Sequence, residues 1–470
     1  MRQKLVKNLS ANTLQLIVNQ FFGLVIFYIL STGLDKNSFG KINLALALML
    51  AVFNILSFGI DQIAVRKIAA GENPRFILPL YLTHVLLTGL AFYALLFFGR
   101  NWFSPLINGY NVILLIGIAK LMIYFSTPFK QSTIGLERFR LLAWLSVISN
   151  IARATGLVVL SLMHLITLQS VIITCISGDL LELLLGACLF KRSTKLSIVP
   201  KWNRISYALL LKESLPQFGV VIITSALARF DWIFIGIIVS EASLAEYSFA
   251  YKVFELSTLP LLASAPLLIP WFTRLFKNGE VDFTNLKFLI RVEMIVAAFT
   301  IVVINSCWSP VIDRLTSGKY GVVNERTIFI LTLCIPLLYI TNFLWTISFA
   351  KGRLKMILTA FIITFSINVV GDIILIPIYK NEGAAIAYLA GYLAQAIFFL
   401  IKNDVKTLNR IYWPLLICTG CACGSVFLAK TLFANVWEVN ICAALFYIVS
   451  LLVFLQIKLG DGQKLRLLIE

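Results

Sequence analysis

The sequence predicts an all-α polytopic membrane protein, and three observations point to that class. Its 470 residues are 60% hydrophobic and only 13% charged, whereas soluble domains carry about a quarter charged residues. The mean hydropathy is +0.91, and the apolar residues form stretches of about twenty, the length that a helix needs to cross a ~30 Å hydrocarbon core. Lys and Arg fall mainly between these stretches.

The apolar stretches predict about fourteen transmembrane helices. One of them contains three prolines, Pro260, Pro266 and Pro270, which interrupt helical hydrogen bonding. We place the spans at residues 11–31, 41–60, 77–98, 111–129, 141–162, 170–190, 214–239, 246–272, 290–312, 327–349, 356–377, 383–401, 411–431 and 438–457.

The distribution of positive charge predicts the orientation of these spans. Of the 40 Lys and Arg, 28 fall in alternate connections and the two terminal segments, 8 fall in the opposite connections, and 4 lie inside spans. Positive connections stay in the cytoplasm, so both termini are expected there. The net charge of +18 is explained by this topology, and we expect no nucleic-acid partner.

A weak internal repeat predicts the domain organisation. Residues 34–40 (LDKNSFG) join the first two spans, and the similar residues 244–250 (LAEYSFA) join spans seven and eight. Because six spans return the chain to the same side, the repeat predicts two six-helix lobes around a central cavity, a transporter plan. The predicted parts are a first lobe at 1–190, a basic cytoplasmic linker at 191–212, a second lobe at 213–401, and two extra C-terminal helices with a tail at 402–470.

The sequence offers little for catalysis, and we expect the protein not to be an enzyme. Neither His84 nor His164 has carboxylates at ligand spacing, and the longest external connection, 313–326, is too short to house the site of a glycan polymerase or ligase. No catalytic residue is therefore predicted.

A cluster of Cys418, Cys421 and Cys423 raises the alternative of a metal site. The second ligand pair of a zinc site is missing, and the neighbouring Gly420 and Gly424 have the spacing by which membrane helices pack closely. We predict no metal site and no bound cofactor.

Four cations inside the spans are the main candidates for function: Lys120, Arg153, Arg229 and Lys252. A cation at the centre of a membrane helix costs about 2.5–3.5 kcal/mol on insertion scales. These side chains should therefore face an aqueous cavity or acidic partners. A cationic cavity would bind an anionic group such as a diphosphate, held by charged donors.

Polar side chains recur at steps of three and four on several spans, so that each span presents a polar stripe. The simplest common target is a central cavity, and helix–helix hydrogen bonding is the alternative. The predicted cavity-lining residues are Asn12, Gln15, Asn19, Asn54, Asn150 and Asn368.

Acidic residues also lie in the spans, namely Asp179, Glu182, Asp231, Glu255 and Asp372. Any of them could bind a coupling proton or Na⁺, and each could equally be a counter-ion for a cation. Lys252 and Glu255 are three residues apart and could pair.

Three stretches carry a resemblance to a known family. They are FGKINLALA at 39–47 with GIDQIAVR at 59–66, RFD at 229–231 followed by Gly236, Tyr247 and AY at 250–251, and IPIY at 376–379 with GAAIA at 383–387. Over nearly its whole length the chain resembles the polysaccharide-export branch of the multidrug/oligosaccharidyl-lipid/polysaccharide (MOP) exporter superfamily, and most of all the Wzx-type O-antigen flippases.

That resemblance implies two lobes around a central cavity and movement of an undecaprenyl-diphosphate-linked oligosaccharide between leaflets by alternating access. The substrate would be a repeat unit of O-antigen, in lipopolysaccharide biosynthesis, or of another surface polysaccharide. Its diphosphate would sit near the cavity cations, while the lipid tail stays among membrane lipids. A polysaccharide polymerase and a chain-length regulator are the expected protein partners.

Other functions remain open at this point. A cation-coupled small-molecule exporter of the same superfamily would need an acid-dominated cavity, whereas cations dominate the central positions here. A peptidoglycan-precursor flippase also has fourteen spans. A structural scaffold would not need Lys120 and Arg153 in the middle of the membrane.

Overall fold

The computed structural model describes residues 2–105, 107–259, 261, 283–402, 412–458 and 461, with side chains except at 2–17, 220, 224, 226–228, 283–286 and 350. Throughout these ranges the regular structure is helical, without strands. The side chains of Asn12 and Gln15, predicted to line a cavity, lie outside the described residues, as do Pro260, Pro266 and Pro270.

The chain divides into two compact units, residues 1–245 and 246–470. The helices of unit 1 are α1 (Arg2–Gly33), α2 (Lys36–Leu56), α3 (Ile60–Ala69), α4 (Pro74–Phe98), α5 (Arg100–Phe103), α6 (Tyr110–Gly135), α7 (Phe139–Leu162), α8 (Leu168–Thr194) and α9 (Arg204–Phe234). A π-helical turn, Ile235–Val239, follows α9, and the next helix, α10 (Glu241–Ser257), crosses the boundary between the units.

Side-chain caps fix where several of these helices begin. Asp35 accepts the backbone N–H of Ser38 at 3.0 Å, which satisfies one of the free donors at the start of α2. The hydrogen bond from the Ser38 side chain, and after it this backbone bond, lower the pKa of Asp35. Thr167 and Ser170 cap each other's backbone at the start of α8, a reciprocal arrangement that closes a helix N-terminus.

The second predicted span, 41–60, ends four residues earlier than expected from hydropathy. Its helix stops at Leu56, and Phe58 (φ 52°) and Gly59 (φ 73°) turn the chain into the separate helix α3. A side chain at Gly59 would also meet Gln217 Cβ of α9 at 2.9 Å. Glycine therefore fits both the left-handed backbone and the close approach of α9.

The hydrophobic core of unit 1 joins four of its helices. Leu78 and Leu82 of α4 pack with Phe129 of α6, Leu145 of α7 and Phe190 of α8, all of them buried. This packing sets the spacing of α6, α7 and α8, the helices that carry the buried charges described below.

The segment between α8 and α9 is attached to α4. Thr83 Oγ1 donates to the carbonyl of Lys201 at 3.0 Å, and α9 then packs against α2 and α3. Span seven, which the repeat assigns to a second lobe, thus lies in compact unit 1. The lobe boundaries given above stay a prediction from the repeat.

In the described part of unit 2, the α-helices after α10 are α11 (Phe283–Thr316), α12 (Glu325–Ala350), α13 (Leu354–Lys402), α14 (Tyr412–Leu432) and α15 (Val436–Val453). Helix α11 packs against α12, α14 and α15. Two hydrogen bonds mark these interfaces, from Asn305 Nδ2 to Thr332 Oγ1 at 2.8 Å and from Ser306 Oγ to Asn440 Oδ1 at 3.0 Å.

Helix α13 is a tight helical hairpin. Lys380 has a non-helical backbone (φ 50°), and the two halves on either side of it pack together. A Cβ on Gly371 would come within 2.8 Å of Ala387 Cβ, and one on Gly383 within 2.3 Å of the Leu375 carbonyl oxygen. The hairpin thus supplies the two spans predicted at 356–377 and 383–401.

Ten helices among the described residues are long and apolar enough to cross a membrane, with α13 counted once. This makes the protein a multi-pass membrane protein, but the predicted number of fourteen is not confirmed. The difference falls at α1, whose described apolar part is only Val18–Gly33, at α9, and at α10 (Glu241–Ser257). The end of the predicted span 246–272 lies outside the described residues.

Candidate functional site

Three neighbouring helices of unit 1 carry the buried charges. Lys120 lies near the middle of α6, Arg153 lies on α7 and Asp179 lies on α8, and α8 packs against both α6 and α7. Asp179 is fully buried. Its negative charge therefore has to be compensated by groups on these helices.

Both cations contact this one carboxylate. Lys120 Nζ lies 3.2 Å from Asp179 Oδ2, and Arg153 Nε lies 3.5 Å from Oδ1. Ser149 Oγ donates a hydrogen bond of 2.5 Å to Oδ1. Asp179 is thus a counter-ion that links α6 to α7, and Lys120 and Arg153 have the acidic partner that the insertion penalty requires.

A chain of amides extends the site to α1. Arg153 Nη2 donates to Asn150 Oδ1 at 2.7 Å, and Asn150 Nδ2 donates to Asn19 Oδ1 at 3.0 Å. Two predicted lining residues, Asn19 and Asn150, therefore make a helix–helix hydrogen bond. Arg153 is thus held by Asn150 through Nη2 as well as by Asp179.

A second ion pair lies one helical turn further along α8. Lys130 Nζ is 2.5 Å from Glu182 Oε1, and Ser126 Oγ donates to the same oxygen at 2.9 Å. Lys130 follows directly after the predicted span 111–129, and it still lies within α6, because this helix continues to Gly135. The sequence contains a signal for this second ion pair, because Asp179 and Glu182 are three residues apart and therefore share a face of α8.

These five residues, Lys120, Lys130, Arg153, Asp179 and Glu182, form what we call the charge cluster. Three cations face two carboxylates, which leaves one positive charge. The two carboxylates are buried, whereas the side chains of Lys120 and Arg153 are 20% and 16% exposed. An anion could therefore reach the excess charge.

The other predicted residues of unit 1 lie on α2 and α9. Arg229 stacks over the indole ring of Trp232 at 4.3 Å, a cation–π contact, while Asp231 is buried and accepts the backbone N–H of Trp232 at 2.9 Å. Asn54 is half-buried on α2, where its carbonyl accepts a hydrogen bond from Ser57.

The predicted residues of unit 2 lie on α10 and α13. Lys252 Nζ contacts Glu255 Oε2 at 2.7 Å, as their spacing suggested. Asn368 and Asp372 are buried on the first half of α13, on the same face as Thr364. A Cβ on Gly391 of the second half would meet the Thr364 carbonyl oxygen at 3.1 Å and Asn368 Cβ at 3.6 Å. This stripe therefore faces the interior of the hairpin.

The cysteine cluster of α14 has a different environment from the one its spacing suggested. Cys418 and Cys421 are buried, but a Cβ added to Gly420 or Gly424 would meet nothing within 4 Å. The two glycines thus make no close helix contact within the described chain. Among the described residues, no group of three or more His, Cys, Asp or Glu side chains is arranged to hold a metal ion.

Comparison with known proteins adds the family and the fold. Residues 5–276 match the family described as polysaccharide biosynthesis protein, which is more than half of the chain. No curated protein matches the sequence significantly.

Three solved structures illustrate the likeness in fold. The lipid II flippase MurJ in an inward closed conformation has a TM-score of 0.74 and 16% identity over 96% of this chain and 98% of that one. A multidrug resistance MATE family transporter of the MOP superfamily, inward-facing, gives 0.62 and 14% over 86% and 98%. A MOP superfamily transporter from Pyrococcus furiosus, described as having a binding pocket of reverse polarity, gives 0.56 and 12% over 87% and 96%.

At such low sequence identities the structural likenesses establish only the fold. The family match establishes which family the chain belongs to. The chain has a MOP-type fold, shared with flippases and exporters, and it belongs to the polysaccharide biosynthesis protein family.

Proposed function

We propose that this protein is a flippase for an undecaprenyl-diphosphate-linked oligosaccharide, the repeat unit of O-antigen or of another surface polysaccharide. The observation that carries the proposal is the charge cluster, in which Lys120 and Arg153 share the single carboxylate of Asp179. The family match and the MOP-type fold support the same class of transport.

The uneven charge of the cluster is the central point. One cation would be enough to neutralise Asp179 and to hold α8 to a neighbour. A second cation inside a membrane helix costs about 2.5–3.5 kcal/mol on insertion scales. It is not needed to neutralise Asp179, because the first cation already does so. An anionic substrate group such as a diphosphate would supply the missing negative charge, with Arg153 and Lys120 as charged donors.

The direction of transport and the further ligands are proposed from the charge distribution and from the family resemblance of the sequence. The substrate moves from the cytoplasmic to the periplasmic leaflet of the inner membrane by alternating access, with both termini cytoplasmic, and no covalent chemistry is required. Arg229 and Lys252 are proposed as further ligands for the anionic glycan. Coupling to a proton or Na⁺ gradient, at Asp231, Glu255 or Asp372, and contact with a polysaccharide polymerase and a chain-length regulator belong to the same proposal.

A second candidate is a flippase for a peptidoglycan precursor. The specific observation in its favour is the fold of MurJ, a lipid II flippase, which matches 96% of this chain. An exporter of cationic drugs is less well supported, because the charge cluster would repel a cationic substrate.

The test removes the excess charge and keeps the remaining ion pair. In Lys120→Gln, Arg153 still neutralises Asp179, and in Arg153→Gln, Lys120 does so. We expect each variant, and Arg229→Gln, to reach the membrane at normal abundance but to lose surface glycan in a strain lacking its own copy of the gene. Flipping of a fluorescent lipid-diphosphate oligosaccharide in proteoliposomes should fall by at least about tenfold, the effect of ~1.4 kcal/mol.

The matched control is Arg192→Gln, which removes an exposed cation outside the cluster and should transport normally. Normal glycan in all three cluster and α9 variants would overturn the proposed role of these cations. Rescue of a strain lacking its lipid II flippase, without rescue of surface glycan, would favour the second candidate.

A further inference from the structure

A cavity of about 660 Å³ lies at one end of unit 1, apart from the charge cluster. Its walls come from the α3–α4 turn, the first turns of α4, and the start of α9 with the segment before it. The positive-charge distribution predicts that both of these connections, 61–76 and 191–212, are cytoplasmic. Contact between them is consistent with one shared membrane side, and the Lys201 backbone N–H donates to the Pro79 carbonyl at 3.4 Å.

The charge of this cavity is positive. Lys67, Arg75 and Lys201 line it together with one carboxylate, Glu72. Lys67 contacts Glu72 at 3.3 Å and also Glu213 at 3.0 Å, and these three groups together leave one negative charge, which the two charges of Arg75 and Lys201 exceed. Arg75 and Lys201 make no ion pair within the described residues, and both are exposed. They are the groups available to an anion, and Arg in particular matches the geometry of phosphate oxygens.

The apolar part of the lining distinguishes this cavity from a site for a soluble anion. Phe76, Trp202 and Leu209 line it, yet their side chains are 75%, 58% and 54% exposed. Exposed aromatic side chains beside cations at the end of membrane helices are typical of the membrane–water interface, where the ring lies at the level of the lipid headgroups. In a membrane, lipid acyl chains would cover these apolar side chains, which would otherwise be in contact with water.

From this combination we propose that the cavity binds the headgroup of an anionic phospholipid of the cytoplasmic leaflet. Arg75 and Lys201 contact the phosphate, Trp202 and Phe76 lie against the glycerol backbone, and Leu209 contacts an acyl chain. Such a lipid would hold the α3–α4 turn and the α8–α9 segment at the membrane surface. The inference does not depend on the transported substrate.

The test uses the full-length protein purified in a neutral detergent. It is titrated separately with dihexanoylphosphatidylglycerol, dihexanoylphosphatidylcholine and glycerol 3-phosphate, while tryptophan fluorescence and thermal melting are recorded. We expect saturable binding of the phosphatidylglycerol alone. Arg75→Gln combined with Lys201→Gln should weaken it about thirtyfold, because each basic residue at a membrane surface contributes about a factor of five.

Two control variants make the result specific. Lys191→Gln with Arg192→Gln removes the same two side-chain types from exposed positions outside the cavity and should change the affinity less than twofold. Trp202→Phe should remove the fluorescence change and leave the melting shift. This variant locates the site in an otherwise unaltered protein, even if the Arg75/Lys201 variant folds poorly.

Several outcomes would overturn the proposal. Equal binding of phosphatidylcholine would show that the negative charge is irrelevant, and equal binding of glycerol 3-phosphate would show a site for a free phosphate. An equal loss in the Lys191/Arg192 control would indicate a diffuse charge effect. A fluorescence change that persists in Trp202→Phe would place the lipid elsewhere.

Discussion

The two units hold their ion pairs in different settings. In unit 1, Asp179 is buried and contacts two cations from two other helices. In unit 2, Lys430 contacts Glu325 and Arg326 contacts Glu382 with exposed side chains, while the pairs Arg291–Asp461 and Lys252–Glu255 are partly buried. Each of these pairs joins one cation to one carboxylate. Exposed one-to-one pairs contribute about 0–1 kcal/mol to stability, whereas a fully buried carboxylate is tolerated only when it is compensated. Asp179 therefore differs from these pairs by its full burial and by its second cation, and the proposed function rests on that second cation.

The largest expected effect is on the stability of unit 1. Asp179→Asn removes the shared carboxylate and leaves Lys120 and Arg153 without their counter-ion. Loss of one partner of a buried pair costs about 3–5 kcal/mol, so we expect a much lower melting temperature in detergent and a lower abundance in the membrane. Glu325→Gln, which breaks an exposed pair of unit 2, should cost less than about 1 kcal/mol.

A double variant sharpens this result. Lys120→Gln combined with Asp179→Asn removes one of the two stranded cations, and we expect it to be more stable than Asp179→Asn alone. The coupling between the two sites would then be about 0.5–3 kcal/mol, as for residues in direct contact. Additive effects would mean that the two side chains do not share their charge.

The second-largest expected effect concerns unit 2, where it tests the close packing of the two halves of the α13 hairpin. Gly383→Ala in α13 would bring a methyl group to 2.3 Å from the carbonyl oxygen of Leu375 and 2.6 Å from its carbonyl carbon. Because the hairpin backbone must move to admit it, we expect a loss of about 1–3 kcal/mol in thermal or denaturant unfolding.

Gly420→Ala in α14 is the matched control for the hairpin. Its added methyl group meets nothing within 4 Å, so the only change is the higher helix propensity of alanine, worth up to about 1 kcal/mol of stabilisation. Equal losses in both variants would contradict the close packing of the α13 hairpin.

The smallest effect concerns an ion pair near the surface of unit 1. Lys67 of α3 donates to Glu213 and Glu72, and these carboxylates, Glu213 first, raise the pKa of Lys67 above its ordinary 10.5. The charged form is favoured by folding, so this stabilisation is fully present below the unfolded pKa and is lost as the pH rises through the folded pKa.

The measurement compares the wild type with Lys67→Gln from about pH 9 to about pH 12. We expect the wild type to be more stable at the lower pH by up to ~1 kcal/mol, and the two curves to converge at the upper limit. A constant difference across this range would show that Lys67 acts through packing and not through its charge.

The positions of the charges within the apolar stretches were enough to single them out in the sequence. They were not enough to predict which charged side chains contact each other. Lys120, Arg153 and Asp179 each stand out as a charge within an apolar stretch. Their meeting depends on how α6, α7 and α8 pack, and a helical period fixes only the face of its own helix. The contact between Lys130 and Glu182 was missed for a related reason, since hydropathy marks the edge of an apolar stretch and α6 continues beyond it.

The fold was predictable as a class, with exceptions at particular residues. The reversal at Lys380 falls in the gap between the predicted spans 356–377 and 383–401, where Pro377, Asn381 and Gly383 interrupt the helical pattern; the close packing of the two halves is what local propensity does not reveal. The position of α9 within compact unit 1 also depends on long-range contacts, such as that between Gly59 and Gln217, which the repeat alone does not reveal.

The hydrogen bond from Thr83 to the carbonyl of Lys201 has a consequence for biosynthesis. It joins residues 118 positions apart, and α9, which follows at once, packs on the much earlier α2 and α3. At ordinary rates of translation the ribosome needs on the order of ten seconds to cover that distance. During this interval the faces of α2 and α3 that pack on α9 stay uncovered. A nascent chain that stops after α8 should be a substrate for membrane proteases.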